Sequence, residues 1–259
     1  MEIADQTAVI TGGASGIGLA IAERFIRAGA REIIIADLES SAVAEVAERI
    51  GAHARICDVT REDEVKALVD DCESAFGPLD IFVSNAGIFL PGSEHAPDSE
   101  WKLCWDLHVM AHVYAARAVA GLMAKRGRGY LVNTSSAAGL LTHINSASYA
   151  VSKHAAIAFA EYLAIEYGPQ GVCVSVLCPQ SVRTPMTDSG AGQLAKPDTM
   201  IEPELLADCV VDAMARESFL ILPHPEVQDY MQRKTADYDR WLGGMQRMKQ
   251  RRRSENPSG

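Results

Sequence analysis

Short β-branched runs alternate along the chain with amphipathic stretches of helical period, and this alternation constrains the fold more than any other feature. The runs fall near Thr7–Thr11, Glu32–Ala36, Ala54–Cys57, Leu79–Ser84, Tyr130–Thr134, Val172–Leu177 and Phe219–Leu222. Strands separated by helices predict a parallel sheet, because parallel neighbours need a crossover long enough to hold a helix. The runs Ile33-Ile34-Ile35-Ala36 and Asp80-Ile81-Phe82-Val83 are continuous rather than alternating, as strands buried on both faces must be. The expected fold is a single Rossmann-type, doubly wound α/β domain, with a seven-stranded, mainly parallel sheet and helices on both faces. With 259 residues, one domain over the whole of 1–259 accommodates all seven strands.

Charge and cysteine usage exclude several roles. There are 24 basic against 34 acidic residues, a net charge of −10, so no nucleic-acid partner is expected, phosphate binding requiring a basic surface. Cys57, Cys72, Cys104, Cys173, Cys178 and Cys209 form no Cys-x-x-Cys pair and show no zinc spacing. They read as reduced core residues of a cytoplasmic protein. The N-terminus lacks the features of a signal peptide, and no stretch reads as a membrane span. Residues 184–203 show no periodicity and are a candidate substrate lid; residues 225–259 read as a helix from Val227 to about Met248 followed by a basic, polar tail.

The first strand runs into Thr11-Gly-Gly-Ala-Ser-Gly-Ile-Gly18 and then a helical stretch. Glycines at such a turn let the backbone approach a pyrophosphate, which amide N–H groups at the helix N-terminus then hold. The second strand ends in Asp37, 19 residues beyond Gly18. An acid there accepts hydrogen bonds from the adenosine ribose and repels a 2′-phosphate, so NAD is favoured over NADP. Ser15 and Leu38 supply no cation for such a phosphate.

Tyr149 and Lys153 lie four residues apart on one helix face. A phenol of pKa about 10 is a poor base near neutrality until a neighbouring cation stabilises its phenolate, and Lys153 can be that cation. Ser136, thirteen residues before Tyr149, follows a strand end at the edge where open parallel sheets bind ligands, and its hydroxyl can hold a carbonyl or alkoxide oxygen.

The ordered set Thr11-Gly-Gly-Ala-Ser-Gly-Ile-Gly18, Asp58-Val59, Asn85-Ala-Gly87, Ser136, Tyr149-x-x-x-Lys153 and Pro179 followed by Thr184 resembles the short-chain dehydrogenase/reductase family, over about residues 3–223. The resemblance implies that Gly12, Ser15, Gly16, Ile17 and Gly18 cradle a pyrophosphate, that Asp37 and Leu38 meet the adenosine ribose, and that Asp58 and Val59 meet adenine. It places Asn85, Ala86 and Gly87 on the floor, although bracing the central strand is an equal reading for Asn85. Val182 and Thr184 would meet the nicotinamide carboxamide and phosphates, and Pro179 would join the cofactor-binding residues. Tyr149 would be the general acid/base. Lys153 would hold the nicotinamide ribose and lower the tyrosine pKa, and Ser136 would position the substrate oxygen, with no metal required. Two residues depart from the family pattern. Gln180 replaces a usual glycine and is expected to project toward substrate; His108 stands where the family has a fourth catalytic residue, an asparagine at a helix distortion.

The implied enzyme is an NAD-dependent alcohol dehydrogenase or ketone reductase. Its substrate walls would come from Phe89-Leu90, residues 140–145 including Leu141 and His143, Gln180 and Met186, mostly apolar, which suits a medium-sized hydrophobic secondary alcohol or ketone. A polyol or sugar dehydrogenase and a non-catalytic NAD-binding scaffold are the alternatives, with a dehalogenase-like relative further off. Apolar residues around most of the Tyr149–Tyr167 helix predict a homo-oligomer, expected to be a homotetramer.

Overall fold

The computed structural model describes residues 1–188 and 200–255. Seven strands form one sheet: β1 Thr7–Thr11, β2 Glu32–Asp37, β3 His53–Ile56, β4 Ile81–Ser84, β5 Gly129–Thr134, β6 Val172–Leu177 and β7 Leu220–Ile221. Their order is β3-β2-β1-β4-β5-β6-β7 and every pair is parallel. The order reverses between β1 and β4, where crossovers leave to opposite faces and open a crevice at the carboxyl ends of the strands. The expected fold class is met, with the sheet wholly rather than mainly parallel.

The crossovers are α1 Gly16–Arg27, α2 Ser40–Ile50, α3 Glu62–Phe76, α4 Asp98–Trp105 continuing into α5 Ala111–Arg126, α6 Ala137–Leu141 with α7 Ala147–Tyr167, and α8 Pro185–Asp188 with α9 Pro203–Ala215. Two apolar layers result. Val9, Ile34, Phe82 and Leu131 point into the layer shared with α3, α5 and α7, while Ile10, Ile33, Ile35 and Val132 point into that shared with α1 and α9. This division of neighbouring residues between faces is the two-residue period of a strand.

The run 98–126 is long and apolar enough to cross a membrane by length and composition, which the sequence reading did not anticipate; half of its most apolar window is buried inside the fold. The alanines of α5 and Val119 pack into the α3–α7 layer, as a core helix does. Of the candidate lid, residues 189–199 lie outside the described residues; before them runs α8, and after them Ile201 bridges Val182 just ahead of α9.

The C-terminal stretch differs from the single helix expected. It forms α10 Glu226–Ala236 and α11 Tyr238–Glu255, broken at Asp237 in extended conformation. The Asp237 carboxylate accepts from the Arg240 N–H at 2.9 Å, making Asp237 the N-cap of a new helix. An aspartate inside a helical pattern carried that signal.

Candidate active site

The carboxyl ends of β1, β2, β4, β5 and β6 open into one cleft of about 1500 Å³. It is lined by Gly12, Ser15, Gly16, Ile17, Asp37, Leu38, Asp58, Val59, Asn85 and Ala86 at one end and by Ser136, Leu141, His143, Tyr149, Lys153, Gln180 and Met186 at the other, with Gly87, Pro179, Val182 and Thr184 also in its wall. Gly18 and His108 stand behind this wall, and of the expected substrate walls Leu90, Leu140, Ile144 and Asn145 do not line the cleft.

In the β1–α1 turn Gly12 and Gly16 have φ of +62° and +52°, values that favour glycine. A Cβ on Gly12 would stand 2.9 Å from the Ala86 Cα, and one on Gly16 would stand 3.2 Å from the Thr184 methyl. The first turn of α1 carries no acid, and its N-cap, Ser15, makes no side-chain capping bond, so the N–H groups there are free for an anion. This cradle fits a dinucleotide pyrophosphate. Gly18 is closely packed: a Cβ there would meet the Gly12 carbonyl oxygen at 2.2 Å and the Asn85 Nδ2 at 2.7 Å.

The Asp37 carboxylate is fixed at the β2 end, accepting from the Ala14 N–H at 3.1 Å and the Leu38 N–H at 2.8 Å. Asp58 accepts from the Thr60 N–H and hydroxyl at 2.9 and 2.7 Å, which orders the turn after β3. Asn85 braces the centre of the sheet: its Nδ2 donates to the Thr11 carbonyl at 3.1 Å, and its Oδ1 accepts from the Thr134 hydroxyl at 3.2 Å.

At the other end, Ser136 caps α6, its Oγ accepting from the Ala138 N–H at 3.1 Å. Ser146 caps α7, accepting from the Tyr149 N–H at 3.2 Å, and donates to the Leu90 carbonyl. The first turn of α7 is thereby stitched to the loop after β4. The Tyr149 ring stands edge-on to Phe89, His108 and His143, with centroids 5.0, 5.4 and 6.2 Å away. Burial pushes its phenol up to about 12, opposed by a hydrogen bond with Ser136. Lys153 is 3% exposed; its Nζ donates to the Thr134 carbonyl at 3.0 Å and lies 5.7 Å from the Tyr149 ring centroid. Burial pulls the ammonium down to about 8.

His108 is fully buried, within a π-helical turn over Asp106–Met110. Its Nε2 accepts from the Ile88 N–H at 3.2 Å, so that nitrogen carries no proton. Its Nδ1–H donates to the Ser152 hydroxyl at 2.9 Å, which donates to the Tyr149 carbonyl at 3.1 Å. Burial and then the Lys153 charge hold the imidazole down at about 2, so it stays neutral. His108 thereby ties the loop after β4 to the turn carrying Tyr149, and it is not among the residues that line the cleft.

Gln180 does not simply project toward substrate. Its Nε2 donates to Glu226 at 3.2 Å, while its N–H donates to His224 Nδ1 at 3.1 Å. The walls the sequence reading missed come from Leu103 and Leu107 on the α4 side, and from Tyr230, Arg233, Trp241, Met245 and Met248 on α10 and α11. Positions 241, 244, 245 and 248 share a helix face, a periodicity legible in the sequence but not linked to the site.

The short chain dehydrogenase profile matches residues 6–193. The 1-deoxy-11-beta-hydroxypentalenate dehydrogenase of Streptomyces avermitilis is 35% identical over 238 residues, covering 88% of each chain. A short-chain dehydrogenase/reductase from Burkholderia phymatum, solved in complex with NAD, superposes with a TM-score of 0.83 at 27% identity, over 92% of this chain and 96% of its own. The L-sorbose reductase of Gluconobacter frateurii, solved with NADPH and L-sorbose, gives 0.74 at 28% identity, over 86% and 97%. A Rossmann-type sheet with a glycine cradle at one end and a Ser-Tyr-Lys cluster at the other defines a nicotinamide-dependent oxidoreductase. The chain belongs to the short-chain dehydrogenase/reductase family, whose members of this kind are alcohol dehydrogenases and ketone reductases.

Proposed function

We propose that the chain is an NAD-dependent dehydrogenase of a medium-sized, hydrophobic secondary alcohol, and that Tyr149 is its general acid/base. The observation that carries this reading is the convergence of Ser136, Tyr149 and Lys153 on the cleft that the glycine cradle opens into. A bound nicotinamide would supply the hydride acceptor. Tyr149 Oη takes the alcohol proton in oxidation and returns it to the ketone oxygen in reduction. With its phenol up at about 12, Tyr149 rests as an acid, ready for reduction; oxidation calls for positive charge beside it, which the Lys153 ammonium and an oxidised nicotinamide ring provide. Ser136 orients the reacting oxygen, and the wall of Phe89, His143 and Leu141 excludes water.

Asp37, locked by two backbone N–H groups, supports NAD over NADP because a 2′-phosphate would meet a fixed carboxylate beside Leu38. Leu103, Leu107, Leu141, Met186 and Met245 support an apolar substrate. A sugar or polyol is the second reading, favoured by the likeness to L-sorbose reductase. A homotetramer, one domain over 1–259, a lid over 184–203 and a cytoplasmic setting complete the proposal. Tyr162 and Ile165 on α7, exposed by 57% and 77%, support the first, and six unpaired cysteines support the last.

A fluorescence titration tests the cofactor: NADH is expected to bind at least about tenfold tighter than NADPH, some 1.4 kcal/mol. Equal affinities would overturn the assignment to NAD. A panel of secondary alcohols with NAD⁺, followed by NADH absorbance, tests the reaction, and a preference for polyols would select the second reading.

A further inference from the structure

Helices α10 and α11 roof the substrate end of the cleft and are held there firmly. Val227 and Trp241 pack with Ala137 and Leu141 of α6, and Lys234 Nζ donates to the Leu140 carbonyl at 2.6 Å. Their cleft-facing side is apolar through Tyr230, Trp241, Met245 and Met248, and includes three exposed arginines, Arg233, Arg240 and Arg247. Arg240 and Arg247 sit two turns apart on α11, on the same face.

None of the three pairs with a carboxylate among the described residues. Arg233 lies over the Tyr230 ring at 5.9 Å. The two acids in this wall are engaged elsewhere, Glu226 with Gln180 and Asp237 with the Arg240 N–H. Basic residues outnumber acidic ones between 226 and 255, in a chain whose net charge is −10, so the roof is a local reversal of the protein's field. Gly243 and Gly244, which cost stability inside a helix, let the Arg247 guanidinium lie close to the α11 backbone: a Cβ on Gly243 would stand 3.4 Å from its Nη1, and one on Gly244 3.9 Å from its Nη2.

Resting on the dehydrogenase reading above, we propose that the substrate is a hydroxy acid: an apolar skeleton with its secondary alcohol at Tyr149 and a carboxylate held by Arg233, Arg240 and Arg247. The apolar residues of α10 and α11 cover the skeleton, and the planar guanidinium fork matches a carboxylate in two-point contact. Attraction by the basic roof steers the anion inward, so the charge raises kcat/KM more than kcat.

The test uses (ω−1)-hydroxy fatty acids of graded chain length, each as free acid and as methyl ester, with NAD⁺ and the full-length protein. The free acid of the best length is expected to exceed its ester in kcat/KM by at least about tenfold. Arg240→Ala/Arg247→Ala brings that ratio close to one, and Arg240→Lys/Arg247→Lys retains most of it. Calorimetry on the wild-type NADH complex, with the matching fatty acids lacking the hydroxyl, is expected to show tighter binding of acid than ester. Equal kcat/KM and equal binding for acid and ester would overturn the proposal. So would a double alanine variant that loses NADH affinity in step with activity, since the arginines would then serve the cofactor. If no alcohol of any kind is oxidised, the dehydrogenase reading fails, and the calorimetric comparison still decides whether the roof binds carboxylates.

Discussion

At the β1–α1 end of the cleft the contacts come from main chain: two glycines at positive φ, uncapped N–H groups at the start of α1, and Asp37 held by backbone donors. At the α10–α11 end they come from side chains on helices whose backbone is ordinary, and the wall is a mixture of Met, Trp and Arg. Backbone geometry tolerates few residue types, so the first end is rigid and fixed in chemistry. Side chains on a regular helix can change without disturbing the fold, which leaves the second end free to define a substrate.

One pair of substitutions could break this comparison. Gly18→Ala places a Cβ 2.2 Å from the Gly12 carbonyl oxygen; it is expected to cost about 3 kcal/mol of stability and most of the NADH affinity. Gly244→Ala, whose Cβ would have Arg247 Nη2 3.9 Å away as its nearest neighbour, is expected to gain up to about 1 kcal/mol from helix propensity and to keep NADH binding. Chemical denaturation and a fluorescence titration read both, and similar outcomes at the two glycines would remove the distinction.

A smaller effect is expected under the catalytic helix, where the two ends meet. Both ring nitrogens of the buried His112 lack a protein partner among the described residues, and burial holds its imidazole down at about 3, below the ordinary 6.5. A group depressed in the folded state contributes stability that is present above about pH 6.5 and lost as pH falls toward 3. His112→Leu is expected to flatten the loss of stability between pH 6.5 and 4 by on the order of 2 kcal/mol, and to raise stability modestly at neutrality. An unchanged acid limb in denaturation curves would show that His112 does not titrate this way.

The smallest effect is expected at Thr142, which ends α6 beside the substrate wall with φ of 80° and ψ of 171°, a conformation disfavoured for any side chain. Thr142→Gly should relieve about 1 kcal/mol. Unchanged or reduced thermal stability would mean that the loop is not strained.

The contrast also explains what the sequence made legible. Strand runs and the positions of Gly12, Gly16, Asp37, Ser136, Tyr149 and Lys153 could be read because each is tied to a strand end or a fixed helical spacing. The close packing of Gly18 against the Gly12 carbonyl and Asn85 is not legible, since glycines that pack and glycines that bind look alike in a motif. The role of His108 needed three dimensions, because its partners, Ile88 and Ser152, come from two other segments. The roof was missed because its residues meet the cleft only after Asp237 breaks the C-terminal helix and α10 docks on α6, and no local pattern marks that docking.

Replacement of Tyr149 tests the central claim most directly. The wild-type protein is expected to form NADH from a secondary alcohol, and Tyr149→Phe to lower that rate by about a thousandfold, some 4 kcal/mol of transition-state stabilisation, while NADH affinity stays within about threefold. A Tyr149→Phe protein that oxidises the same alcohol at the wild-type rate at its optimal pH would remove Tyr149 from the chemistry.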